Sequence, residues 1–426
     1  FQAEDGIRDF CLSRGLGDVY KRQAISLAAE KAGHEVVIFE SESDIGGRMS
    51  SIRFGPYIID IGFHVLHTAY PSLHRWIDFS KLEYKEMEKC TESIDPDTGK
   101  RKLLADAISM PLKLFPTLRA TGLRDGLRLL RWRLASNRKD IESPLDYKSK
   151  KIMDGFKERG FSNNIVQNIL RPLFAGITLD PDLEERMSFA SFTWAAMSLG
   201  SMIMLKGGIQ AVPNQLANKL ISTQVRLNSK VDIVSSTTIT CNEQTDNFDK
   251  VILATPQNVS FQLLNRKPVK KVKKTATIVF NSPKNPLSKH RLLINEKYGL
   301  NGNKILHAHS HPYHPQLVIA TVIGKDSDSL KDNQDEILSE FETWFGKQVR
   351  EWEFVTVTKV ENALPLIHTG HIGRIREPIS EKGILLAGDY TTHPSVQGAL
   401  FSAERIIDHL NIPIPDKTIN ATSSQT

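Results

Sequence analysis

Residues 35–48 read EVVIFESESDIGGR. The run Glu35–Glu40 has no charge between its ends and is rich in β-branched and aromatic residues, the composition of a strand buried in a parallel sheet. Ahead of it, Ala24–Ala32 (AISLAAEKA) has small and apolar residues at helical spacing, and Gly33-His34 turns the chain between them. Helix, turn, strand and terminal acid form the second half of a βαβ nucleotide-binding unit, where the acid, here Glu40, bonds ribose hydroxyls. An ordinary αβ unit with a surface Glu would read the same up to this point. Gly46, Gly47 and Arg48 break the tie. Two glycines let backbone approach a cofactor closely, and an arginine fork pairs with pyrophosphate oxygens. This spacing points to FAD rather than NAD.

The far end of the chain supplies the matching half. Residues 383–389 (GILLAGD) form a short apolar strand ending in Gly388-Asp389, and residues 390–400 (YTTHPSVQGAL) open a helix. Asp389 is expected to bind the ribityl chain or lie near the pyrophosphate. Backbone N–H groups of Val396, Gln397 and Gly398 are expected to face the flavin's N1/O2 edge, where a helix N-terminus favours the anionic reduced ring. Between the two ends, Gly207-Gly208 precedes a helix (NQLANKLI), and strands follow over Arg226–Val234 (with Val231) and Val251–Pro256. These segments return the chain to the same site.

The combined pattern resembles the flavin amine oxidase superfamily, closest to its phytoene desaturase-like and protoporphyrinogen oxidase-like FAD-dependent oxidoreductases. The resemblance runs from Ala24 to about Leu410. It rests on Glu40 with Gly46-Gly47-Arg48, on Asp60-Ile-Gly62-Phe63-His64 through Tyr70-Pro71, and on Leu170-Arg171-Pro172-Leu-Phe174-Ala-Gly176. It rests further on Gly207-Gly208, on Ala363-Leu364-Pro365, and on Gly388-Asp389 with Pro394 to Ala399. It implies an α/β fold: a Rossmann-like FAD-binding domain of the GR2 type, interleaved with an α+β substrate domain. The FAD domain would use 24–68, 206–260 and 361–410, and the substrate domain 69–205 and 261–360. It implies non-covalent FAD, bound by Glu40, Gly46, Gly47, Arg48, Gly207, Gly208, Val231, Gly388, Asp389, Val396, Gln397 and Gly398. It also implies removal of a hydride from an apolar, isoprenoid-like substrate, with electrons passed to oxygen, a quinone or another carrier. Amine oxidation is one alternative. A flavin-bearing isomerase or a catalytically silent FAD protein is another. No catalytic acid, base or nucleophile is identified, as expected where the flavin takes the hydride. His64, His67 and Tyr390 are the substrate-pocket candidates.

Residues 1–23 (FQAEDGIRDFCLSRGLGDVYKRQ) resemble translated sequencing-adapter sequence and are set aside as non-native. On that reading the first strand and glycine-rich loop of the unit are absent. The stretch Gly15-Leu-Gly17-Asp-Val-Tyr20 is then a decoy, because the phosphate fingerprint needs a small third residue.

The bulk properties exclude several classes. A net charge of +6 on 426 residues does not imply nucleic acid. Three scattered cysteines give no disulfide framework. No secretion signal is read, which suggests a cytoplasmic or membrane-peripheral protein. Residues 187–205 carry no charge, but their Ser, Thr and Gly suit a buried helix or pocket wall better than a membrane span. His307, His309 and His311 would share one face of a strand, yet no carboxylate or Cys completes a metal set, and none is expected. Residues 111–138 alternate Leu and Trp with Arg, a pattern that suits either a solvated helix or an anionic membrane surface. Residues 411–426 are expected to be disordered.

Overall fold

The computed structural model describes residues 8–13, 19–137, 139–269, 273–287, 290–328, 330, 334–367, 371–375 and 377–414. The motifs sit on a six-stranded sheet in the order Gln224–Arg226, Glu35–Glu40, Arg8–Ser13, Lys250–Leu253, Ile384–Leu386, Ile379–Glu381. The first five strands are parallel, and 379–381 is an antiparallel edge.

A parallel sheet needs cover on both faces, and alternate residues of a strand serve opposite faces. Val251 and Leu253 join Phe39, Ile384 and Leu386 in one apolar cluster. Ile252 and Ala254 join Leu385 and Ala387 in the other. Helices Val19–Lys31 and Val396–His409 supply the second cluster. A three-stranded antiparallel sheet over 231–247 supplies the first through Val231 and Ile239. The result is an α/β, Rossmann-like unit with helices on one face and a small antiparallel sheet on the other.

Two expectations are corrected here. Residues 1–23 do not stand wholly outside the fold. Arg8–Ser13 occupies the first-strand position, paired in parallel with Glu35–Glu40 on one side and Lys250–Leu253 on the other. Ladder pairing uses backbone groups, which any non-proline residue carries, so a polar composition does not bar a segment from a sheet. The helix also begins at Val19 rather than Ala24, so Tyr20, Lys21, Arg22 and Gln23 belong to it and are buried. Nor is the whole of 411–426 loose: Ile412 is buried and Ile414 packs against the same core. Gly15 and Gly17 of the decoy stretch, and residues 415–426, lie outside the described residues.

The second sheet has seven strands: Glu353–Leu364, Lys273–Asn281, Leu317–Ile323, His307–Ser310, Leu292–Asn295, Cys90–Asp95 and Lys100–Ala105, in that order. One face packs on Gln334–Phe345 through Phe280, Ile337 and Phe341. The other packs on helices 152–158, 171–178 and 187–199, together with Leu114–Ala135. The uncharged 187–205 run becomes the helix Met187–Leu199 followed by the strand Met202–Leu205. Among the described residues, no helix is long and apolar enough to cross a membrane.

Candidate functional site

Arg48 follows two glycines with left-handed backbones, Gly46 (φ 144°) and Gly47 (φ 57°). A Cβ at Gly46 would stand 2.5 Å from Ser50 Oγ, so the turn is closed to larger residues. The turn drives Arg48 inward, where its guanidinium meets Asp389 at 2.9 Å and donates to the Ala363 carbonyl at 2.8 Å. Both side chains are buried. The two motif halves read from opposite ends of the chain are thus one ion pair.

The helix Val396–His409 starts beside this pair. Ser395 caps it by accepting from Gly398 N at 3.0 Å. Gly398 is obligatory, since a Cβ there would lie 2.1 Å from the His393 carbonyl oxygen. The Gln397 side chain is already engaged: it accepts from Ser72 N and donates to Glu142, so only its backbone is left for a cofactor. Of the glycine clamp, Gly208 has the demanding geometry. Its φ is 72°, and a Cβ would meet Ser51 Oγ at 2.3 Å and Asp60 Oδ1 at 2.8 Å, whereas Gly207 is not crowded. Glu40 closes its strand, buried, with Arg22 at 2.5 Å. The Val231 side chain is spent on the apolar cluster with Phe39.

Arg48, Gly62, Asp389 and Val396 open onto a cavity of about 280 Å³. Its other walls are Leu173, Ile177 and Leu179 from one helical segment, Phe189, Thr193 and Met197 from the next, and His307, His309 and Thr321 from the second sheet. His64 and His67 line it, and Tyr390 does not. The Tyr390 hydroxyl donates to Ser260 Oγ at 2.8 Å and its ring meets Phe261 edge-on, because the turn after Gly388 points it away. His309 faces His64 at 5.3 Å between ring centres, whereas His311 lies past the strand end and stacks on His314.

The imidazoles are held neutral. Burial pushes His67 down to about 4 and His309 to about 4. Burial, with neighbouring imidazoles second, lowers His307 to about 3 and His64 well below its ordinary value. The unfolded chain takes up protons near pH 6.5 while the folded one does not, so the stability of these sites is complete above that value and lost as pH falls toward about 4. Burial pushes Asp60 up to about 7, which acts in the opposite sense: its contribution is present at low pH and lost as pH rises through 7. Four imidazoles outweigh one carboxyl. The unfolding temperature is therefore expected to drop between pH 6.5 and pH 4, and a flat profile across that range would contradict the assignment.

Local pattern did not expose Arg186. It is fully buried beside Glu185 at 3.2 Å and donates to the His371 carbonyl at 2.8 Å, with Thr392 O at 3.5 Å, bracing the approach to the Val396 helix. The available signal was a lone Arg directly before the uncharged 187–205 run.

A dinucleotide-type sheet, an acid at a strand end, a glycine-gated Arg–Asp pair and a helix start on one cavity define a flavin-binding oxidoreductase fold. Residues 24–406 match the family of flavin containing amine oxidoreductases, and the chain belongs to that family. No curated protein matches it. Among solved structures it is similar to a protein from Exiguobacterium sp. assigned as a protoporphyrinogen oxidase, at 17% identity and a TM-score of 0.71 over 96% of this chain and 99% of that one. It is similar to a wild-type putrescine oxidase bound to putrescine, at 15% identity and a TM-score of 0.66 over 96% and 99%. It is similar also to a fatty acid isomerase from P. acnes that produces CLA, at 10% identity and a TM-score of 0.67 over 96% and 99%.

FAD is the cofactor, and the residues present fit it with one exception. The gated turns at Gly46 and Gly398 keep backbone close to the space beside Arg48 and Asp389. The exception is Tyr20, which lines the cavity at the helix start, where the phosphate fingerprint requires a small residue. Tyr20→Gly is expected to tighten FAD binding by roughly tenfold, about 1.4 kcal/mol. Flavin fluorescence quenching on titration would measure this, and unchanged affinity would absolve Tyr20.

Proposed function

We propose that the protein removes two hydrogens from an uncharged, largely apolar substrate, one as hydride to the flavin and one as a proton, and passes the electrons to oxygen, a quinone or another carrier. The observation that carries this reading is the chemistry of the cavity wall. Leu173, Ile177, Leu179, Phe189 and Met197 face Arg48 and Val396 across one space. Among the described residues lining it, the only carboxylate is Asp389, which is paired with Arg48. A cationic amine would find no free counter-charge there, and burying an unpaired charge is costly.

Bound flavin supplies the hydride-accepting centre. The chain's own residues orient and exclude. The apolar wall removes water, which would otherwise reach a reduced cofactor. Neutral His64, His307 and His309, with Thr321, form a polar end that can hydrogen-bond one uncharged group of the substrate. An isoprenoid-like chain fits this description. Amine oxidation, suggested by the putrescine oxidase likeness, is the rival, and isomerisation without net electron transfer is another.

One experiment separates them. FAD-loaded protein is mixed without oxygen with a long isoprenoid, a polyunsaturated fatty acid or putrescine, and the flavin band is followed. Bleaching by the isoprenoid alone supports the proposal. Bleaching by putrescine alone overturns it in favour of amine oxidation. A fatty acid altered without bleaching overturns it in favour of isomerisation.

A further inference from the structure

The segment 111–135 is a short 3-10 turn, Pro111–Lys113, followed by a helix, Leu114–Ala135, which breaks at Gly122 (φ 73°, ψ 161°). Each half presents two opposed faces, as helical spacing dictates. In the first, Thr117 and Thr121 are buried. In the second, Asp125, Leu129 and Trp132 are buried. The outward faces carry large apolar side chains among arginines. Leu112 is 94% exposed, Phe115 78%, Leu123 66%, Leu127 57% and Leu134 58%. Scattered exposed leucines are normal on any protein, but with Leu114 these are six large apolar side chains exposed on one short segment, a surface that calls for a partner.

The charge on the same element identifies the partner. Asp125 is the only carboxylate in 111–135 and is turned inward, bonded to Ser162 N and paired with Arg128. Arg133 is held by Asp106 and the Ser198 carbonyl. Arg119, Arg124 and Arg131 are exposed and form no ion pair among the described residues. Exposed leucines and a phenylalanine interleaved with uncompensated arginines match an anionic bilayer surface. Apolar side chains enter the acyl boundary there while guanidinium groups meet lipid phosphates.

We infer that this face docks the protein on membranes containing anionic lipid, with Leu112, Phe115, Leu123 and Leu127 inserted. The buried side of the helix packs Trp132 on Trp194 at 4.6 Å, within the helix whose Thr193 and Met197 wall the cavity. Docking thus sets the cavity wall one helix away from lipid. Docking itself rests on this surface alone. Only its use for loading an apolar substrate rests on the function proposed above.

The test is vesicle co-sedimentation of the full chain, which requires neither FAD nor turnover, so its failure is distinct from failure of the functional proposal. Vesicles of phosphatidylcholine are compared with an equal mixture of phosphatidylcholine and phosphatidylglycerol. Binding is expected to the mixture only and to weaken with salt. The variant Arg119→Glu/Arg124→Glu/Arg131→Glu is expected to bind roughly a hundredfold more weakly. Leu112→Ser/Phe115→Ser is expected to lose binding with its unfolding curve unchanged, since both side chains are exposed. Equal binding by the variants, or no binding to either vesicle, overturns the inference. So does a concentration-dependent dimer, seen by light scattering and abolished by Leu112→Ser/Phe115→Ser without vesicle binding, which would make a second copy the occupant.

Discussion

Asp389→Ala is expected to destabilise the protein by roughly 3–5 kcal/mol, because it strands a buried arginine without its counter-charge. The Arg48 guanidinium sits 2.9 Å from Asp389 and is enclosed by the Gly46-Gly47 turn and the Ala363 carbonyl. Retention of flavin should be lost as well, since the same carboxylate faces the cofactor space. A second variant separates the two effects. Arg48→Met/Asp389→Leu removes both charges, and replacing a buried pair by apolar groups is often neutral or better for stability. It should unfold near the wild-type denaturant midpoint yet still fail to hold FAD. If Asp389→Ala kept both stability and flavin, the pair would be no part of the site.

Trp132→Ala should cost about 3–5 kcal/mol through the cavity it leaves. The ring stacks on Trp194 at 4.6 Å and on Phe174 at 5.9 Å, meets Phe156 edge-on, and carries the Arg159 guanidinium at 5.2 Å. It is the joint between the outer helix and the helices that wall the cavity. Guanidinium unfolding followed by circular dichroism would register the loss, and Trp132→Phe should recover most of it. A loss below about 1 kcal/mol would mean the cluster collapses to fill the gap, contrary to close packing.

Much of the cofactor side was legible in the residues because its chemistry is local. Glu40 ends an apolar run, Gly46-Gly47 precedes Arg48, and Ser395 precedes a helix with Gly398 on its first turn, so each signal fits within a few residues. Partnerships were not legible. Nothing near Arg48 in sequence names Ala363 or Asp389. The direction of Tyr390 was misjudged because a side chain's aim depends on the turn carrying it and on Ser260, far away in sequence. Arg8–Ser13 was set aside with the rest of 1–23 for its resemblance to adapter sequence, while strand pairing is a property of backbone. The outer helix was seen as amphipathic, but its break at Gly122 and the inward turn of Asp125 depend on packing.

The Arg48 contact with Ala363 spans 315 residues. At about 5–20 residues per second, roughly 15–60 seconds separate the synthesis of the two partners. Throughout that interval the first half of the cradle exists without the second. Flavin capture is therefore expected only once the strand and helix that carry Asp389 and Gly398 have been made. A chain that stalls before Val396 is expected to hold half a cradle and to lack flavin.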